Sequence, residues 1–424
     1  MNFFIQSLFI VIPIFIILIC IEIIVAKKMG IKVNNPADMI SSLSSGITNI
    51  AKDGLKFGVL IVSYSWLVKY ITIYKLEPIW LAIIIAFIVQ DFSGYWLHRM
   101  NHRVNILWNR HIIHHSSEEF NLSCALRQEI SAIVRFGAIF MIPAALLGIS
   151  PAIFAVLGPI HLFMQFWYHT RLINKMGWLE KFLVTPSHHR VHHAINAKYM
   201  DKNYGQILIV WDKLFGTFQA ELEDEKPVFG IIRPANTWNP IIINYKHTWQ
   251  LLKDAYFAKA WKDKIRIWFM PTGWRPKDVI DKFPRPITTD LENRVKYNYN
   301  YPTHLKIVAL FQFISINFLV FFFLYNFSTL SSEIQLFFGL IIFVSIFGFT
   351  SFLDLFSWAP KFELIRSIIS ALFFLYFGNQ FFLENYFIST VIILTYFTIS
   401  SLISIFYWNR FNEKEKSNFQ LNKI

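Results

Sequence analysis

The sequence predicts an all-α polytopic membrane protein with about nine transmembrane helices and a cytoplasmic, histidine-rich cap around two metal ions. Three observations carry this fold class. Hydrophobic residues make up 55% of the 424-residue chain and charged ones only 16%, too apolar a balance for a water-soluble domain of this length. Apolar runs of bilayer length recur in both halves. Eleven of the thirteen histidines fall between positions 98 and 193, most of them in patterned boxes.

The first run, residues 3–26, is long enough to cross a bilayer and ends in Lys27 and Lys28. A cleaved signal peptide carries its positive charge before the apolar stretch, so this run reads as a retained anchor. Spans are predicted next at 55–73, 79–97, 130–147 and 151–168, the last two joined by the turn Gly148-Ile149-Ser150-Pro151. From 171 to 303 the chain becomes polar, basic and rich in Trp, Pro and Asn, which predicts a membrane-associated cap. Four further spans follow at 305–325, 334–352, 362–377 and 386–408, then a charged tail. The resulting division is 1–76 as anchor helices, 77–304 as catalytic region with its cap, 305–410 as a four-helix membrane region and 411–424 as a cytoplasmic tail.

The net charge of +13 flanks the apolar spans, where cations meet anionic lipid, and so argues against nucleic acid as a partner. With Lys27 and Lys28 in the cytoplasm, alternation through nine spans brings Arg99, Arg103, Arg110 and the basic block after Arg171 to that same side. The histidine boxes land there too. Cys20 and Cys124 are the only cysteines, which leaves no disulfide framework and no thiolate metal site.

The boxes are His98-x3-His102, His111-x2-His114-His115 and His189-x2-His192-His193. Residues three and four apart share one helix face, so each box aims several imidazoles at one point. Eight such nitrogens exceed what one zinc takes, and imidazole suits mid-row divalent ions, which predicts two ions with a redox role. His169, at the end of the fifth predicted span, is a candidate further ligand. His188 adjoins the third box as a ligand or a hydrogen-bonding neighbour. His161 lies two turns deeper and reads as packed, and His247 and His304 stand apart. Asp91, Tyr95, His98 and His102 fall on one helical stripe; Asp91 reads equally as an acceptor fixing a histidine tautomer or as an acid facing water or Arg99. Glu118, Glu119, Asn121, Arg127 and Gln128 follow the second box as carboxylate ligands or a solvated face, the solvated face being favoured. Within Trp211–Thr217, which reads as a turn closing the cap, Asp212 either caps a helix or touches the metal shell, the structural reading being favoured.

The three boxes followed by WDKLFGT at 211–217 resemble the fatty acid hydroxylase and sterol desaturase superfamily, over residues of about 91 to 218. Finer strings are similar to its alkylglycerol-oxidising branch: HHSSEEFNLSCALRQ at 114–128, QFWYHT at 165–170, TPSHH at 185–189 and DKNYG at 201–205. Two positions depart from that branch, Cys124 in place of a threonine and Arg103 in place of an acid. The resemblance implies a histidine-ligated di-iron monooxygenase that uses O2 to hydroxylate the ether-linked alkyl carbon of a glyceryl ether lipid, giving fatty aldehyde and glycerol. It implies tetrahydrobiopterin as reductant and no catalytic group beyond the metal centre. The cap is then a surface for the pterin or a reductase. The alternative is a sterol, carotenoid or fatty acyl hydroxylase or desaturase fed by a ferredoxin or cytochrome. A metal transporter is disfavoured, because it lines helices with ligands across the membrane depth, whereas these gather at one face. The richness in Ile, Lys, Asn and Phe points to a bacterial inner membrane over endoplasmic reticulum.

Overall fold

The computed structural model describes residues 3–54, 59–132, 134–285, 287, 290–381 and 387–411. The predicted tail, apart from Phe411, lies outside the described residues, as do 55–58 and 386 of two predicted spans. The described chain is mostly helical, and five of its helices are long and apolar enough to cross a membrane.

The first is α1 (Phe3–Lys28), which presents Ile10, Ile17, Ile21 and Ile24 outward and ends on Lys27 and Lys28. Water does not tolerate such a belt, and lipid does. The next helix, α2 (Pro36–Gly54), has no counterpart among the predicted spans. It is rich in Ser, Gly and Asn, yet Ser42, Ser45 and Thr48 are fully buried. The strand β1 (Val59–Leu60) and the eight-residue α3 (Tyr64–Ile71) lead into α4 (Ile79–Arg103), the second long apolar helix. Beyond α4 come the single-turn α5 (Ile112–His115), β2 (Val134–Arg135), α6 (Ile142–Leu146) and α7 (Pro151–Phe166). The cap contains α8 (Pro186–His193) and α9 (Pro240–Phe257). Finally α10 (Thr303–Asn326), α11 (Ser332–Leu353), α12 (Ala359–Phe381) and α13 (Phe387–Phe406) form the predicted C-terminal group, of which all but α12 are among the five.

The structure breaks the predicted spans at 55–73 and 130–147. Each forms only short helices, and outside them their backbones bond to each other. β1 runs parallel to β2, Ile61 N–H donates to Arg135 O at 3.1 Å, and Ile73 and Tyr74 N–H share Leu146 O at 3.0 and 3.2 Å. Thr72 Oγ1 donates to Ala145 O at 3.0 Å, and Ser93 Oγ of α4 takes Phe140 O at 2.7 Å. An apolar run records burial, and either a helix or a mutually bonded pair satisfies the backbone.

The C-terminal helices pack around Phe323, Phe338, Phe374 and Phe397, all 0% exposed. Among them sits one polar node, where Arg366 pairs with Glu363 at 2.8 Å and donates to Ser345, Ser367 and Ser400. A buried pair survives in lipid only when its remaining donors are met, as they are here. Asp354 ties this group to the cap by accepting from Trp238 N–H at 2.8 Å and Tyr297 O–H at 2.9 Å.

Candidate metal centre

Nine histidines converge in two adjacent groups, His98, His102, His111, His115 and His192 in one and His114, His169, His189 and His193 in the other. Within each group the ligand atoms lie within 4.8 Å of one another. The boxes do not map one-to-one onto the groups. Successive residues on a helix project about 100° apart while i and i+4 nearly coincide. Hence His111 and His115 face the first group and His114 the second, while on α8 His189 and His193 face the second group and His192 the first. The doubled histidine at the end of each later box is therefore a shared wall between the groups; His115 stacks on His193 with centroids 4.2 Å apart.

The tautomers can be read from the outer hydrogen bonds. His98 Nδ1 lies 2.8 Å from Tyr204 O, His169 Nδ1 2.9 Å from Gln165 O, and His192 Nδ1 2.9 Å from Lys202 O. A carbonyl only accepts, so each Nδ1 donates and each Nε2 is left a bare lone pair. Those lone pairs face other nitrogens. His98 Nε2 is 2.8 Å from His111 Nε2, and His169 Nε2 is 2.8 Å from His189 Nε2 and 3.2 Å from His114 Nε2. His192 Nε2 is buried with no partner at all. A divalent ion about 2.1 Å from each imidazole nitrogen sets adjacent ligands about 3 Å apart, which matches these contacts. The residues therefore fit two metal ions, five imidazoles available to one and four to the other. Burial, reinforced by neighbouring imidazoles, holds His111, His115, His189 and His193 well below the usual histidine range, and His169 falls to about 3. Neutral imidazole is the metal-binding form.

The loop 201–205 serves this centre. Its carbonyls at Lys202 and Tyr204 orient His192 and His98, and its shape needs φ of +61° at Asp201 and +57° at Asn203. Asp212 anchors it by accepting Tyr204 and Gly205 N–H at 2.7 Å each and Thr217 Oγ1 at 2.6 Å, so Asp212 is the structural acid the sequence favours. A Cβ on Gly205 would meet Leu208 O at 2.7 Å and Asp212 Oδ2 at 2.9 Å, which explains the glycine. Asp91, fully buried on α4, accepts Ile207 and Leu208 N–H at 2.9 and 3.1 Å, Trp211 Nε1 at 2.9 Å and His161 Nε2 at 3.1 Å. It does fix a histidine, but that histidine is His161, which belongs to neither group and also contacts Gln165 Nε2 at 2.9 Å.

His188 likewise lies outside both groups: its Nδ1 sits 3.2 Å from Leu183 O and its ring packs edge-on against Phe218. We expect His188→Asn to retain the full metal content of the unmodified protein, measured by inductively coupled plasma mass spectrometry; loss of an ion equivalent would place His188 among the ligands. His247 Nε2 donates to Asn105 O, and His304 stacks near Tyr407, and neither belongs to the two groups. Glu118 and Glu119 are neither ligands nor a solvated face. Glu118 pairs with Arg294 at 2.6 Å and accepts Tyr297 N–H, and Glu119 pairs with Arg171 and Lys296, stapling the second box to the segment before α10. Arg127 forms a buried pair with Asp38 of α2 at 2.6 Å and donates to Ser116, Asn121 closes a turn onto Ser123 and Cys124, and Gln128 O accepts from Ser45.

Two supporting acids escape a reading of the boxes alone. Asp38 accepts Ser117 Oγ at 2.7 Å as well as Arg127, and Glu22 of α1 accepts Leu122 N–H at 2.8 Å and Thr170 Oγ1 at 2.6 Å. Their signal in the sequence is faint: each is an isolated carboxylate in a stretch with few other acids.

A cavity of about 220 Å³ opens beside the centre. His98, His111, His114, His169 and His189 form one wall, and Phe15, Leu97, Leu162 and Phe166 from α1, α4 and α7 form the apolar one. Arg110, Asn101, Gln128 and Gln206 also line it. Arg110 Nε and Nη1 and Asn101 Oδ1 are buried without partners.

Residues 83–217 match the fatty acid hydroxylase family model. The chain is 39% identical over 269 residues to the alkylglycerol monooxygenase of Homo sapiens, covering 62% of this chain and 59% of that protein. It is 39% identical over 275 residues to the alkylglycerol monooxygenase of Danio rerio, with the same coverage of 62% and 59%, and 29% identical over 142 residues to an ornithine lipid hydroxylase of Rhizobium tropici, covering 33% and 43%. The chain thus matches about three-fifths of the length of its alkylglycerol monooxygenase relatives. No solved structure matches.

Proposed function

We propose, from the premise that residues 83–217 of this integral membrane protein are a fatty acid hydroxylase domain, that it is a di-iron, O2-dependent monooxygenase of glyceryl ether lipids. The observation that carries the reading is the pairing of two histidine groups with a cavity walled by membrane helices. One oxygen atom enters the C–H bond beside the ether oxygen, and the other leaves as water with two electrons and two protons. The resulting hemiacetal splits into fatty aldehyde and glycerol. The iron pair supplies reductive activation of oxygen when bound. The chain's own residues hold the ligands, orient the lipid and keep water from the reacting carbon.

Two residues that line the cavity and carry unpartnered polar atoms support this lipid over the alternatives. Arg110 offers two N–H donors and Asn101 an acceptor, so the complementary headgroup both accepts and donates. Adjacent hydroxyls do both. A phosphate accepts only, an acyl chain does neither, and a sterol brings a single hydroxyl. Tetrahydrobiopterin, carried over from the resemblance, supplies the electrons in this reading, with a reductase recycling it. Residues 77–304 then hold the catalytic machinery. The two mutually bonded segments count as crossings in this reading, which keeps the nine-crossing topology and puts the centre on the cytoplasmic side, in a bacterial inner membrane or the endoplasmic reticulum.

The test is to purify the protein, quantify iron, and assay an alkylglycerol with O2 in the presence and absence of tetrahydrobiopterin. Turnover only with a ferredoxin or cytochrome donor, or only on a sterol, carotenoid or acyl chain, would overturn the ether-lipid assignment and leave the iron centre standing. Asn101→Leu is expected to raise KM for alkylglycerol roughly 5- to 100-fold, the equivalent of a hydrogen bond of about 1–3 kcal/mol, with iron content unchanged. An unaltered KM would remove Asn101 from headgroup recognition.

A further inference from the structure

A second cavity, also of about 220 Å³, lies on the cap side of the centre and shares no lining residue with the first. The nine histidines divide between the two: His102, His115, His192 and His193 line the second and the other five line the first. The metal-binding groups are therefore the partition between two separate chambers. They differ in character. The first joins apolar side chains of α1, α4 and α7 to Arg110 and Arg127 with Glu129 among them, whereas the second carries Arg233, Lys246 and Arg285.

Lys246 Nζ donates to Ala235 O at 2.6 Å, and Asp254 and Asp354 attract these three cations from beyond the chamber lining. The one acid lining this chamber, Asp201, pairs with Arg103 at 2.9 Å. The nearby Asp254 is held by both ends of the Arg275 guanidinium, at 2.7 and 2.9 Å. Arg233 Nε and Thr272 Oγ1 are buried without a partner. Burial lowers the pKa of Arg233, Lys246 and Arg285, and the cations push on one another: Arg275 on Arg233, Arg233 on Arg285, and Arg285 on Lys246. Gathering like charges out of water is costly unless an anion completes the site. Guanidinium groups suit oxyanions because their planar donors match two oxygens at once.

We infer that the cap-side chamber binds an oxyanion, the phosphate or carboxylate of a small molecule, and gives the centre a second door separate from the one the lipid uses. Trp108, Ile112 and Ile231 also line the chamber and offer an apolar bed for the body that carries the anion. The site does not depend on which lipid is oxidised. The same chemistry arises from a free solute or from an anionic lipid headgroup, and the experiment separates them.

Inorganic phosphate is the probe, added to the full-length, Fe(II)-loaded protein in phosphorus-free maltoside micelles, and the readout is 31P transverse relaxation. Phosphate seated beside paramagnetic iron relaxes faster, with saturable dependence on concentration. The Arg233→Gln/Arg285→Gln double variant is expected to weaken apparent binding at least about tenfold, and Arg233→Lys/Arg285→Lys to recover part of it, both with iron content and far-UV circular dichroism unchanged. Relaxation no faster than in the ultrafiltrate, or equal in the glutamine variant and the unmodified protein, overturns the inference. Preferential displacement by dihexanoyl phosphatidylglycerol identifies a lipid headgroup as the occupant; preferential displacement by glycerol 3-phosphate identifies a soluble one.

Discussion

Alanine at His193 is expected to remove iron from a protein that still inserts in the membrane and to cut turnover at least about 100-fold, beyond the 10- to 100-fold cost of disturbing a ligand's outer partner. His193 Nε2 lies 3.0 Å from both His114 Nε2 and His189 Nε2, at the middle of the four-histidine group. Its removal leaves three imidazoles for that ion. His114→Ala should behave alike, since His114 Nε2 also approaches His169 Nε2 at 3.2 Å. His115→Ala is the informative contrast: it leaves four imidazoles in the other group, so a smaller loss of metal is expected there. Iron per protein and turnover should be measured for all three in membranes. Full iron occupancy in both His114→Ala and His193→Ala would refute a shared site.

The second large effect is expected at Asp91, which touches no histidine of either group. Asp91→Ala leaves the N–H groups of Ile207, Leu208 and Trp211 unpaired around a fully buried position. Each such orphan costs about 1–3 kcal/mol, and loss of one partner from a buried charge network costs about 3–5 kcal/mol in all. Those donors sit just past the loop whose carbonyls orient His98 and His192. The variant should therefore lose stability and also about 10- to 100-fold in iron affinity. Thermal unfolding of the metal-loaded and stripped forms separates the two components. A midpoint equal to that of the unmodified protein in both forms would show that Asp91 is not the tie.

Long apolar helices were legible in the sequence, as α1, α4, α10, α11 and α13 show, because hydropathy and length directly encode them. Hydropathy failed over the described parts of 55–73 and 130–147, where only short helices form, backbone bonds run between the segments, and no residue pattern announces the exchange. It failed in the opposite sense at α2, whose serines look solvent-facing but bury their hydroxyls against Arg127, Gln128 and their own backbone. The convergence of the boxes was legible. Their allocation was not, since spacing alone aims all eight at one place, and the split depends on how α5 and α8 are rotated toward each other. His169 could be proposed as a ligand but not distinguished from His188 without the fold, which brings one to His189 and turns the other toward Phe218. Glu118 and Glu119 read as a solvated face or, less favoured, as ligands until Arg294, Lys296 and Arg171 arrived from distant sequence.

The division of each later box between the two groups bears on the order of events during synthesis. Because α8 contributes to both, the first group is complete only once His192 has been made and the second only once His193 has. Until then the emerging chain presents His98, His102, His111, His114 and His115 as a partial set that binds an ion weakly and without the carbonyls of Lys202 and Tyr204 to orient it. The hairpin that ends in α7 must also be in place, since it delivers His169. In the proposed two-metal reading, loading would be a late step that closes a chain of nearly one hundred residues from His98 to His193 and links separately inserted segments.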